Sequence, residues 1–289
     1  MTGILLVDKP EGISSAGVIR LLKARLGGAK VGHLGTLDPF ASGLLPLCIG
    51  EATKVARHLL LERKAYTGTI RLGSATDTMD RTGQVTATAA VPSCSAERLT
   101  AVAGGFLGRQ QQVPPMFSAL KRDGVPLYKL ARRGVEVERE ARTVEIGRFE
   151  VTQPDAERID FVVECSKGTY VRVLATDLGR ALGTAAHLER LRRTVVGDFR
   201  IEQAHAPEAL ATMPVLPLIP IRTALGGLRA FALHPSMLGL LRHGQQQALR
   251  DLPAPAPDEA ALVLDEAGTV AALLEAGPQG WRLARLLAE

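Results

Sequence analysis

Strand-like and helix-like segments do not alternate one for one along this chain, and a doubly wound parallel sheet requires that they do. Residues 3–7 read as a short buried strand stopped by a proline turn. Ser14 or Ser15 then caps a helix to about residue 26, with Val18, Ile19, Leu22 and Leu26 at helical spacing. Residues 32–50 are dense in glycine and proline and read as mostly loop. A helix over 51–62, a strand over 65–73, a polar loop over 75–85 and a helix over 95–105 follow. Next come a short helix over 127–133, strands over 144–152 and 158–166, helices over 170–182 and 185–193, and a strand over 195–204. This order predicts an α+β fold with a mixed, largely antiparallel central sheet flanked by helices. Three prolines within 213–220 mark a hinge. Beyond it, 228–289 predicts a small, mostly β module in which 261–264 and 270–274 form a hairpin.

An apolar fraction of 46% is enough for real cores. No apolar run approaches the length of a membrane span. The first residues lack the basic, long-apolar and small-residue succession of a leader, so a cytoplasmic protein is expected. The net charge of +5 is unevenly spread: residues 251–289 hold seven acidic side chains and two arginines, so the basic surplus lies in 1–250. That surplus suits a polyanionic partner, and it equally suits a merely soluble surface. Within it, 110–142 is a long, irregular, basic segment with Pro114, Pro115 and a turn at Arg122, Asp123 and Gly124. Such an insertion is either a solvated loop or a functional one.

Three scattered cysteines, Cys48, Cys94 and Cys165, suggest neither a disulfide framework nor a zinc site. No phosphate-binding loop, dinucleotide fingerprint, histidine metal motif or serine elbow is present. What remains is chemistry that polar side chains perform unaided. In GHLGTLDPFASG, Asp38 stands before Pro39 in a glycine-rich loop. Proline holds Asp38 away from helical geometry, and a rigid loop offering one carboxylate suits a nucleophile or general base. Asp-Pro is also a common structural turn, and the local sequence leaves both readings open.

The segments GILLVDKPEGISS, KVGHLGTLDPFASGLLPLCIGEATK, KAYTGTIRLGSATDTMDRTG, QVPPMFSALKRDGVPLYKLARRGVEVEREAR, CSKGTYVRVLATDLG and AHLERLRRTVVGDF occur in this order over roughly residues 3–200. Together they closely resemble the bacterial TruB-type tRNA pseudouridine-55 synthase family. The resemblance implies the pseudouridine synthase fold in residues 1–220 and a PUA-like module in 221–289. It implies a monomer that isomerises a uridine in the T stem-loop of tRNA, with no cofactor, metal or membrane involved.

Asp38 then matches the family's essential aspartate. Arg172 matches the arginine that pairs with it, and a guanidinium within about 4–6 Å would favour the ionised carboxylate. Tyr66 matches the tyrosine packed on the target base, Tyr170 a second pocket tyrosine and Leu191 an apolar wall. His33 matches a ring that fills space left by flipped nucleotides. Lys9 and Pro10 match a pair that buttresses the loop. The segment 110–142 matches a mobile insertion over the T stem-loop, so Lys121, Arg132 and Arg133 are expected at phosphates. Leu34, Phe40 and Ser42 depart from the family pattern without changing any charge. The acidic 251–289 leaves only Arg222, Arg229, Arg242, His243 and Arg250 nearby to meet RNA, so that module could mainly brace the rest.

Two rival readings stand beside this one. A non-catalytic RNA-binding or tRNA-folding protein would need the basic surface and not the set Asp38, Tyr66 and Arg172. A nucleoside glycosidase would need a second carboxyl as general acid, for which Asp77 and Asp80 are candidates.

Overall fold

The computed structural model describes residues 1–59 and 63–287. It opens with β1 (Gly3–Lys9) and helix α1 (Ser15–Leu21). The Ser14 hydroxyl accepts the Gly17 N–H and caps α1, which frees Ser15 for another task. A short β2 (Val31–His33) and a longer β3 (Ser42–Ile49) flank the Asp38 loop. Most of the glycine-rich stretch expected to be loop is therefore strand. Pro46 is tolerated because β3 changes neighbours around it: β12, described below, pairs it at Ser42 and Gly43, and β2 pairs it at Leu47, Cys48 and Ile49. The helix expected over 51–62 is a 3₁₀ turn, Gly50–Lys54, and one turn of α2 (Ala56–Leu59); its last three positions lie outside the described residues.

β4 (Lys64–Leu72) leads into a hairpin of β5 (Ser74–Thr76) and β6 (Val85–Thr88), then α3 (Ala96–Gly104) and the edge strand β7 (Gly108–Gln112). The insertion carries only β8 (Lys121–Arg122), β9 (Val125–Pro126) and α4 (Leu127–Ala131). β10 (Arg142–Asp155), β11 (Arg158–Cys165), α5 (Val171–Leu182) and β12 (Ala186–Val196) complete the first unit's core. Residues 185–193 are thus a strand, not the expected helix. A bulge between Leu188 and Arg190 puts Leu188 and Leu191 on one face, so apolar residues three apart imitate a helical stripe. The strand expected over 195–204 shrinks to β13 (Phe199–Arg200) and a 3₁₀ turn.

Among the described residues the main sheet runs β1-β3-β12-β4-β11-β10-β7, with β2 beside β3 and β13 beside β12. Every pair is antiparallel except β3 with β12, which share two register pairs, Arg192 with Ser42 and Arg193 with Gly43. On one face Leu5, Val7, Leu45, Leu47, Tyr66, Ile70 and Leu191 pack against α1, α3 and α5. On the other, Ile4, Leu6, Leu44 and Cys48 pack against the C-terminal part.

That part begins after α6 (Pro207–Thr212) and α7 (Ile221–Ala224) with β14 (Arg229–Ala232) and α8 (Pro235–Arg242). β15 (Ala260–Leu264), β16 (Val270–Gly277) and β17 (Gly280–Leu286) finish a four-stranded sheet. The expected 261–274 hairpin is present. Leu262, Leu264, Val270 and Leu273 face the first unit, whereas Ala261, Val263, Ala272 and Leu274 face α8 and Trp281. The prolines of 213–220 do not form a free hinge. Ile4 and Ile219 exchange backbone hydrogen bonds of 2.8 Å each way, so this segment is laid along β1. No described helix is long and apolar enough to cross a membrane.

Candidate active site around Asp38

The loop between β2 and β3 is held from three directions. The Ser15 hydroxyl, 2% exposed, donates to the Leu37 carbonyl at 3.0 Å and accepts the Leu37 N–H at 2.8 Å. The buried Lys9 ammonium donates to the carbonyls of Pro10 at 2.8 Å, Ile13 at 2.7 Å and Pro39 at 3.4 Å. Gly12 N–H reaches the Pro39 carbonyl, and Ala41 N–H the Asp38 carbonyl. Both backbone neighbours of Asp38 are therefore pinned, and Lys9 acts as the buttress expected of it. Burial pushes the Lys9 ammonium down to about 8, with Asp38 and Glu11 opposing, so it still carries its charge at pH 7. Ser15→Ala would orphan two buried backbone groups; we expect a loss of about 1–3 kcal/mol in urea unfolding.

Arg172 is the second residue of α5 and only 4% exposed. Its Nε lies 2.9 Å from Asp38 Oδ2, so the expected pair is formed. Its Nη1 donates to the Thr78 carbonyl and its Nη2 to the Phe117 carbonyl, each at 2.7 Å. Nη1 also faces Asp80 Oδ2 at 3.8 Å. One guanidinium thus joins the aspartate loop, the turn after β5 and the insertion. α5 is set in place by Gln112 of β7, whose amide accepts the Tyr170 N–H at 2.7 Å and donates to the Tyr170 carbonyl at 3.1 Å. Nothing local in the sequence marks Gln112 for this.

Asp80 is not an open general acid. Its side chain is 6% exposed, and its Oδ1 accepts from the Thr78 hydroxyl, the Thr82 N–H and the Thr82 hydroxyl. Asp77 accepts the Gln84 N–H at the same turn. Neither fits the glycosidase's second carboxyl. Asp80 instead forms the back wall of the Arg172 site.

Asp38 keeps 37% of its side chain exposed while its backbone is enclosed. Burial pushes its carboxyl above the ordinary carboxylate range; Arg172 opposes this and Asp80 adds to it. Tyr66, nearly buried, shares a sheet face with Leu191, and its phenol is pushed up by burial, with Asp38 contributing. Tyr170, half-buried at the start of α5, is raised chiefly by burial, with Asp38 again contributing. Asp38, Tyr66, Tyr170 and Arg172 are therefore brought together. His33, half-buried in β2, has an Nδ1 without a hydrogen-bond partner among the described residues. Burial, then the Arg193 charge, pushes its imidazole below the ordinary value. Lys121, Arg132 and Arg133 lie apart from this group, exposed on the insertion, with Arg132 over the Tyr128 ring at 5.6 Å.

Burial pushes the Cys48 and Cys165 thiols up to about 12 and about 11, as expected of core cysteines rather than nucleophiles. No His, Cys, Asp or Glu cluster among the described residues could hold a metal. A groove of about 520 Å³ lined by Thr67, Thr69, Asp160, Val162, Arg190 and Arg192 opens on the opposite sheet face, and neither Asp38 nor Arg172 lines it.

Comparison with known proteins gives the family of the chain. The model of the TruB family pseudouridylate synthase N-terminal domain matches residues 21–171. That of the tRNA pseudouridylate synthase B C-terminal domain matches 172–216. The chain is 49% identical, over 75% of its length and 61% of the relative's, to a tRNA pseudouridine synthase B of Psychrobacter cryohalolentis. It is 42% identical to that of Neisseria meningitidis serogroup A over 89% of its length and 85% of the relative's. A chain of a solved Cbf5-Nop10-Gar1 complex superposes with a TM-score of 0.71 at 24% identity, covering 99% of this chain and 84% of that one.

Proposed function

The chain belongs to the TruB family of pseudouridylate synthases, and we propose that it isomerises uridine 55 in the T loop of tRNA, with Asp38 as the essential carboxylate. The observation that carries this reading is the 2.9 Å pair of Arg172 with a part-exposed Asp38, whose charge reaches the Tyr66 and Tyr170 phenols. A protein that only binds RNA has no use for it.

The reaction breaks the N1–C1′ bond of the uridine, turns the uracil and joins C5 to C1′; the C5 proton leaves and N1 gains one. Nothing is oxidised and no group is added, so the residues at hand suffice. Asp38 could attack C1′, add to C6, or remove the C2′ proton, and all three start from the ionised carboxylate. Arg172 supports that form and holds its rotamer. A stacked uridine lies out of reach, so it must turn out into the pocket, against Tyr66 and beside Leu191. His33, kept neutral by its surroundings, would take up the space the base leaves.

In this reading residues 1–220 form the catalytic unit and 221–289 a PUA-like module. The shared core of β1, β3, β15 and β16 supports a bracing role for the module. The protein works as a monomer in the cytoplasm. The exposed Lys121, Arg132 and Arg133 meet phosphates of the T stem-loop. Replacing Arg132 and Arg133 together with alanine should weaken tRNA binding and lower the slope of log affinity against log salt by about 2; an unchanged slope would remove them from the interface. The function itself is tested by incubating a T-loop tRNA transcript with the protein and mapping alkali-resistant carbodiimide adducts by primer extension. A stop one nucleotide 3′ of position 55 is expected, and its absence would refute the assignment.

A further inference from the structure

Arg193 of β12 is 1% exposed, among the largest fully buried side chains of the protein. Its Nε donates to the Leu44 carbonyl at 2.8 Å and its Nη2 to the Gly35 carbonyl at 3.0 Å. Across the sheet it stands in register with Tyr66, and its charge acts on the Tyr66 phenol. No described residue gives it a carboxylate partner, whereas Arg172 has two. Buried guanidinium groups are ordinarily matched by an acid, because desolvation is costly.

The two carbonyls and the residue across the sheet explain what the charge gains. Gly35 precedes Asp38 and Leu44 follows it, so Arg193 grips both ends of the aspartate loop. The approach is close: a Cβ on Gly43 would lie 2.3 Å from the Arg193 carbonyl, and Gly43 takes a φ of +102°. The side chain across the sheet from it is the phenol that the proposed function lays against the base. Arg193 is thus bonded to both ends of the carboxylate's loop and stands in register with the tyrosine across the sheet.

We infer that Arg193 is a positioning residue for the isomerisation: it holds both ends of the Asp38 loop while setting a buried positive charge against the Tyr66 phenol, so that loop and tyrosine share one frame. The inference rests on the isomerase reading of the site. Set against this fixed charge, the phenol keeps its place while the uracil turns beneath it. The charged groups facing Tyr66 are Arg193 and Asp38, with the Cys165 thiol also near. Burial raises the phenol, Arg193 lowers it, and Cys165 and Asp38 raise it further. Arg193 is thus the group here that favours the ionised phenol.

The chain has three tyrosines, so 3-fluorotyrosine labelling gives a ¹⁹F spectrum in which Tyr66 is assigned by Tyr66→Phe. In Arg193→Met, the Tyr66 resonance should titrate at higher pH than in wild type while Tyr170 keeps its midpoint. On tRNA, kcat should fall by about 10²-fold with KM within about threefold, the pattern of an interaction used beyond substrate binding. Arg193→Lys keeps a charge with fewer donors; it should hold the Tyr66 midpoint closer to wild type and regain part of kcat, and it serves if the methionine variant does not fold. A Tyr66 midpoint unmoved in Arg193→Met, or a rise in KM with kcat intact, overturns the inference. A wild type that makes no pseudouridine overturns the isomerase reading instead, and the ¹⁹F result tells the two failures apart.

Discussion

Replacing Arg172 with methionine is expected to cost about 3–5 kcal/mol of stability, the range for removing one partner of a buried ion pair. The same change should lower turnover by at least about 10²-fold, the scale of a misplaced catalytic group. Both losses follow from the four oxygens that its guanidinium serves: carboxylates of Asp38 and Asp80, carbonyls of Thr78 and Phe117. Without it the buried Asp80 keeps its threonine bonds but loses the only cation paired with it among the described residues. Asp38 is then left with burial and a like charge, which drive its carboxyl upward with Lys9 still opposing them. Adding Asp80→Asn to Arg172→Met should therefore restore part of the stability, read as a urea midpoint, and none of the activity. Recovery of both would mean that Arg172 serves only the scaffold.

Asp38→Asn should reduce isomerisation by at least about 10⁴-fold, as expected for a group that acts on the reacting atoms. It should not destabilise the protein near neutral pH. The sign follows from linkage. Because the folded-state pKa of Asp38 is raised, the folded protein binds this proton more tightly than the unfolded chain does. That contribution is present at low pH and is lost as pH rises through the folded value, so the ionised carboxylate weakens the fold at neutral pH. Asparagine mimics the neutral acid and removes this cost. The wild-type rate should rise with pH through a midpoint above about 3.9, the ordinary aspartate value. A destabilised Asp38→Asn, or a midpoint below the ordinary value, would reverse the electrostatic picture.

The fold class was legible because element order carries it: non-alternating segments imply an antiparallel sheet. Residues 185–193 were not legible as a strand, because a bulge at Glu189 moves Leu188 and Leu191 onto one face. Gly43 and Pro46 disguised β3, since glycine and proline report local backbone needs and not whether a neighbour strand is present. At the site, Asp38, Tyr66 and Arg172 could be named from the resemblance, and the structure brings them together. The residues that hold them could not. Ser15 acts on Leu37, Gln112 on Tyr170 and Arg193 on Leu44, pairs 22, 58 and 149 residues apart. Each works through a backbone group, which any residue possesses, so the partner's identity leaves no trace in the sequence. Asp80 was noticed as a carboxylate, but its place behind Arg172 depends on how the β5–β6 turn folds back against β12.

The most direct test of Asp38 as the isomerase's carboxylate follows the hydrogen at uridine C5, which must leave when C5 joins C1′. T-loop tRNA transcript carrying tritium at uridine C5 is incubated with wild type and with Asp38→Asn, and tritium appearing in water is counted over time. Release by wild type, one equivalent per tRNA, with none above background from Asp38→Asn, is the predicted result. No release from wild type, or equal release from the variant, would contradict it.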